Sequence, residues 1–296
     1  MCLLGALRRS VLMLAMRSDL GVHIDGYIAT VAHTAVCGSA SGPAPPPSGK
    51  GGDVLAAAAC ASELLLRVVR PGHKNSEVPL AMKAVAEAFG VNVVDGVLIH
   101  QLKRFVIDGN KVATTRPGTE LRAAEVEFEA NEVYAIDVAF SSGEGKPRQL
   151  DEKATGVYKR ALDVRYSVKM KAARALMAEV SKKSAILPFS LRSLGLGVGA
   201  AKLGLTECLA HELLHAYPVL HEKPGDCVAH LKATVMLMPN GPDRVTGLPP
   251  PPFASEKALE DETFKALLTA PLKASKKAAK KAAKREAEGG AAPMAA

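Results

Sequence analysis

The chain has 296 residues, of which 38 are Lys or Arg and 30 Asp or Glu, for a formal net charge of +8. An apolar fraction of 48% excludes a disordered chain, and 23% charged residues exclude a multi-span membrane protein. Five widely spaced cysteines, with no CxxC pair, support neither a disulfide framework nor a thiolate zinc site.

Residues 1–18 carry three Arg and no acid, and read as a divergent N-terminus, with a cleaved targeting peptide as the alternative. Residues 21–37 form two strand-like runs around Asp25-Gly26, a hairpin turn signal. The Gly/Pro/Ser-rich stretch 38–52 cannot bury a core and reads as a flexible surface loop. Asp53 then caps a long helical pattern closed by Pro71-Gly72, and a second helix is expected from Ser76 to Phe89. Alternating runs predict strands at 91–99, 104–107, 126–129 and 133–140. A helix follows from Lys169 to Ser181, another from Leu203 to His215, then strands at 217–222 and 228–238, a Pro-rich turn and an amphipathic helix from Ser255. Long helices mixed with antiparallel hairpins indicate an α+β fold. The last stretch, 271–296, is a basic low-complexity tail: residues 273–288 hold six Lys and one Arg against two Glu, so +5 of the +8 lies there.

Two sets of residues could carry chemistry. His211-Glu212-Leu213-Leu214-His215 is an HExxH; on a helix its two His would face the same way and could hold Zn²⁺, with the Glu as base and His221 as a third ligand. Pro218 stands where the extended pattern needs a Gly for its turn, which favours a helix C-terminus with a dipole-stabilised His instead.

The second set runs through the chain in order: Asp19 to Thr34 (DLGVHIDGYIATVAHT), Ile99-His-Gln-Leu-Lys103, Asn131-Glu-Val-Tyr-Ala-Ile-Asp137-Val, Ser141-Ser-Gly-Glu-Gly-Lys146, and Val228 to Pro242 (VAHLKATVMLMPNGP). Together these segments resemble the proliferation-associated 2G4 (ErbB-3-binding) proteins, non-peptidase relatives of type 2 methionine aminopeptidase. The resemblance implies a pita-bread (creatinase/aminopeptidase-like) fold over residues 19–270, here N-terminally truncated, and a place for the HExxH as a non-catalytic family segment. It also maps the aminopeptidases' two-metal ligands onto Asp19, Thr30, His100, Asp137 and Lys232. Two carboxylates are thereby lost and an ammonium gained, so the set is expected to be a vestigial metal site with no cofactor, in which Lys232 pairs with Asp19 or Asp137. An active metallopeptidase, through a residual site of that kind or the HExxH, is the alternative.

The resemblance further implies RNA and the large ribosomal subunit or pre-ribosomal particles as partners, with transcription regulators beside them and no membrane, and a cytoplasmic and nucleolar location. Lys273, Lys276, Lys277, Lys280, Lys281, Lys284 and Arg285 are the expected phosphate contacts, a basic stripe at helical spacing. With aromatics at 4% and no Trp, contact through phosphates and RNA shape is expected over base stacking. Phe264-Lys-Ala-Leu-Leu268 resembles the family's LxxLL-type motif with Phe in place of the first Leu, and reads as a core-facing turn.

Overall fold

A computed structural model describes residues 14–38, 45–116, 123–151 and 154–273. The tail residues Lys276, Lys277, Lys280, Lys281, Lys284 and Arg285 lie outside these. Strands β1 (Leu14–Ile24) and β2 (Tyr27–Cys37) form the expected hairpin, and the turn residues Asp25 and Gly26 both have positive φ, as a two-residue primed turn requires. Strand β1 begins at Leu14, ahead of the Asp19 boundary expected from sequence.

Helix α1 (Gly49–Val68) starts four residues before the expected cap. Asp53 lies inside it and accepts hydrogen bonds from Ser255 Oγ (2.7 Å) and Lys257 Nζ (2.7 Å), tying down the later 255–257 segment. Gly52 is needed there, because a Cβ would stand 2.2 Å from the Ala254 carbonyl oxygen. Helix α2 (Glu77–Phe89) ends as predicted, on Gly90 in the left-handed conformation.

The run 91–99 divides into β3 (Asn92–Val93) and β4 (Leu98–Leu102), separated by a turn at Asp95-Gly96. Residues 104–107 are a turn with Phe105 left-handed, and 126–129 contribute one isolated bridge, so neither is a strand. Strand β5 (Val112–Thr114) precedes β6 (Val133–Ser141), and β7 (Arg148–Gln149) and β8 (Val157–Arg160) follow. Helix α3 (Lys171–Lys183), β9 (Phe189–Ser190), a 3-10 turn at Leu191–Leu194 and α4 (Val198–Ala210) lead into β10 (Leu214–Ala216). Then come β11 (Leu220–His221), β12 (Val228–Met238), β13 (Gly241–Arg244) and α5 (Glu262–Thr269), the last capped by Asp261, which accepts from Thr263 N–H and Phe264 N–H. The amphipathic helix expected from Ser255 thus begins seven residues later.

One antiparallel sheet of eight strands, in the order β1-β2-β12-β6-β4-β5 with β13 beside β12 and β3 beside β6, organises the described chain. Its helix side is apolar: Tyr134, Ile136, Val138, Leu231 and Val235 pack against α1 and α2, whose Ala-rich surface allows close approach. Residues 154–217 build a smaller unit with its own core, in which the β10-β8-β9 sheet packs with α3 and α4 around Tyr158, Leu176, Phe189 and Leu205. Among the described residues no helix is long and apolar enough to cross a membrane.

Candidate functional site

The site lies on the sheet face opposite the helices. Directly opposed residues in a sheet point the same way, and the register aligns Asp19 (β1), Ala32 (β2), Lys232 (β12) and Asp137 (β6) in one row across four strands. Thr30 lies two residues from Ala32 on the same face, His230 and Thr234 flank Lys232 in the same way, and His100 (β4) opposes Ala135, two residues from Asp137. All five positions that the resemblance assigns to metal ligands therefore share one face.

Lys232 is the centre of the row. Its side chain is 9% exposed, and its ammonium lies 2.9 Å from Asp19 Oδ2 and 3.0 Å from Asp137 Oδ2. Because Ala32 carries only a methyl group, the lysine can reach over β2 to the edge strand. The other oxygen of Asp137 is 2.6 Å from His230 Nε2. Burial by itself raises the Asp137 pKa, but the His230 ring and the Lys232 ammonium outweigh it and hold the carboxyl well below the usual range. As an ionised carboxylate can only accept, the hydrogen in this contact is on Nε2. For Lys232 burial lowers the pKa, and Asp137 and Asp19 reverse this and raise it above the ordinary lysine value. The cluster is thus an internal ion network.

The two remaining positions do other things. Thr30 is buried and belongs to a hydroxyl ladder joining β2 to β12: Thr30 N–H donates to Thr234 Oγ1 (2.8 Å), and the Thr30 carbonyl accepts from Thr234 Oγ1 (2.9 Å) and Thr246 Oγ1 (2.6 Å). His100 is desolvated, which lowers its pKa; Asp137 opposes that effect and Lys232 adds to it, so the ring is neutral at pH 7. Its Nδ1 is buried and has no hydrogen-bond partner among the described residues.

A dinuclear centre needs several anionic oxygens around two cations. Here the two acids share a bonded ammonium that occupies the space between them, and a threonine engaged in strand pairing stands at a third position. The residues present do not fit such a centre. Nor does the HExxH lie on a helix. Helix α4 ends at Ala210, His211 is its C-cap stacked on Tyr166 (centroids 3.7 Å apart), Glu212 has φ +54, and His215 lies in β10 opposite Lys159. The αL residue turns the chain out of the helix, so the two His lack the one-turn relation by which an HExxH holds zinc.

His230 is the site residue that sequence reasoning did not single out; its signal was its position two residues before Lys232 on one strand. Lys273, the first of the expected phosphate contacts, is half exposed and pairs with Asp243 at 3.1 Å.

The chain belongs to metallopeptidase family M24, whose pattern matches residues 15–199, and it has that family's pita-bread α+β fold. Within the family its likeness to the ErbB-3-binding and proliferation-associated proteins holds. It is 51% identical to ErbB-3 binding protein 1 of Solanum tuberosum over 87% of this chain and 65% of that protein. It is 43% identical to proliferation-associated protein A of Dictyostelium discoideum over 87% of this chain and 66% of that one. The chain therefore spans about two thirds of the length of these curated relatives. Among solved structures, that of a thermophilic Arx1 matches with a TM-score of 0.78 and 27% identity, over 88% of this chain and 74% of that one.

Proposed function

We propose that this chain is a non-catalytic aminopeptidase homologue that binds RNA on ribosomal or pre-ribosomal particles, in the cytoplasm and nucleolus. The observation that carries the reading is a segregation of charge. Residues 154–217 hold ten Lys and Arg against four Asp and Glu, a net +6, and the 273–288 tail adds +5, so the rest of the chain is net acidic. Eight of the ten cations, including Arg165, Lys169, Lys171, Arg174 and Lys182, are exposed. Positive charge concentrated in one folded unit and one tail suits phosphate contact, and a cleft occupied by a bonded ammonium suits neither metal nor substrate.

Asp19, Thr30, His100, Asp137 and Lys232 are, on this reading, the vestige of a metal site, with Lys232 in the metals' structural role. The LxxLL-like motif supports a transcription-regulator partner poorly, since Phe264, Leu267 and Leu268 pack against the helix-side core. Co-sedimentation of the purified protein with ribosomes tests the reading. Binding that weakens steadily as salt rises is expected, with no hydrolysis of peptides bearing an N-terminal Met. Absence of binding together with divalent-metal-dependent hydrolysis would replace it with the peptidase reading.

A further inference from the structure

Beside the hairpin turn, three side chains form a cluster that the cleft and the basic unit leave unexplained. The Arg104 guanidinium carbon sits 5.3 Å from the Tyr27 ring centroid and 5.1 Å from that of Phe105, so one planar cation is shared by two aromatic faces. Both residues are nonetheless exposed, Tyr27 at 67% and Phe105 at 47%. Their local contacts leave much of both residues in water at the tip of a turn, where large aromatics gain little from burial.

The backbone holds them in place at a cost. Phe105 has φ +63, a conformation that bulky residues rarely adopt. Its N–H donates to the Gly26 carbonyl (2.8 Å), and its ring covers Gly26 so closely that a Cβ there would lie 2.6 Å from ring carbons. Arg104 Nε donates to the Asp25 carbonyl at 2.9 Å, which fixes the guanidinium between the rings. Strain retained to display a side chain is a feature of functional positions rather than of ordinary turns.

The location also matters. Asp108, three residues on, is ion-paired with Lys159 of β8, and Ile107 packs with Ile186 and Leu187, which follow α3. The cluster thus adjoins the basic 154–217 unit. A polyanion lying on that unit can place its bases against flat rings with a cation between them.

We propose that Tyr27, Arg104 and Phe105 form a stacking site for unpaired nucleobases of an RNA whose phosphates lie on the 154–217 unit. The inference rests on the RNA-binding reading above. A sequence with only 4% aromatic residues argues against an extended stacking platform, but two exposed rings around one arginine suffice for one or two bases.

The test is fluorescence anisotropy at moderate salt with a short single-stranded oligoadenylate, an abasic ribose-phosphate oligomer of equal length, and an RNA duplex. The wild type should prefer the oligoadenylate. Tyr27→Thr combined with Phe105→Gly should weaken that binding about 10- to 100-fold, while leaving binding to the abasic oligomer unchanged. Glycine suits the φ of Phe105 and threonine suits a strand, so both substitutions preserve the backbone. Should the double variant fail to fold, Arg104→Lys, which keeps the charge and loses the plane, replaces it and should lose most of the preference. The chain has no Trp, so quenching of tyrosine emission by oligoadenylate, absent in Tyr27→Thr, is a second readout. Equal affinity for the oligoadenylate and the abasic oligomer, or a double variant as tight as the wild type, overturns the stacking site and leaves the RNA reading standing. A wild type that binds none of the three probes overturns the RNA reading itself.

Discussion

A lysine with its side chain nine-tenths buried persists only where carboxylates compensate the lost hydration, and Lys232 has two. Removing it takes from the buried Asp19 and Asp137 the ammonium they share, so Lys232→Met should destabilise the fold by about 3–5 kcal/mol at neutral pH. The sign of the pH dependence follows from the shifts. Asp137 has a lowered folded pKa, so its contribution is present above the ordinary carboxylate range and is lost as pH falls through the depressed value. Lys232 has a raised folded pKa, so its contribution is complete below the ordinary lysine pKa and is lost as pH rises through the raised one. Urea melts should accordingly show wild-type stability from the network intact between about pH 4 and pH 10. The gap to Lys232→Met should narrow below pH 4, because Asp137 without the ammonium takes up a proton more readily than Asp137 paired with it. A gap constant down to pH 3 would show that the lysine acts by packing alone.

The same row predicts how a metal site could be recovered. Thr30→Asp together with Lys232→Glu would give four carboxylates and His100 on one face. Co²⁺ should then raise the melting temperature of the double variant and leave that of the wild type unchanged. Equal shifts in both, read by calorimetry, would mean that the wild-type cleft already holds metal.

At the scale of elements, the close approach of α3 and α4 depends on Gly204, where a Cβ would stand 2.6 Å from the Ala172 carbonyl oxygen. Gly204→Ala, although it favours helix locally, should push the helices apart and cost about 1–3 kcal/mol in thermal melts. A stabilised variant would show that the two helices are not in contact there.

Elements were legible in the sequence where local chemistry decides them. Asp25-Gly26 fixes the first hairpin, Gly90 stops α2, and the alternation in 228–238 marks β12 at its observed ends. They were illegible where a distant partner decides. HELLH has helical spacing, yet Leu214–Ala216 leaves the helix to pair with Val157–Arg160, more than fifty residues earlier. Residues 104–107 alternate like a strand but turn, because Phe105 covers Gly26. The site divides the same way. Resemblance marked five positions, but only the register of β1, β2, β12 and β6 shows that Lys232 meets both acids at once and that His230 completes the network.

At the scale of the whole molecule, a formal charge of +8 conceals an acidic remainder joined to a basic unit and a basic tail. The charges of 154–217 could be counted from the sequence, but the boundaries that make the count meaningful come from the small unit's separate core. The tail alone looked like the natural site of phosphate contact. The folded unit carries slightly more charge, +6 against +5, and eight of its ten cations are exposed.

Ribosome co-sedimentation across a salt series, run for the wild type, a chain ending at Leu272, and a variant with Lys169, Lys171, Arg174 and Lys182 changed to Gln, separates the contribution of the folded basic unit from that of the tail. The wild type should bind in a salt-sensitive way, with partial loss without the tail and a larger loss in the four-site variant, whose dependence of log affinity on log salt becomes shallower by about three. Four-site binding equal to that of the wild type, or wild-type binding indifferent to salt, would contradict this expectation.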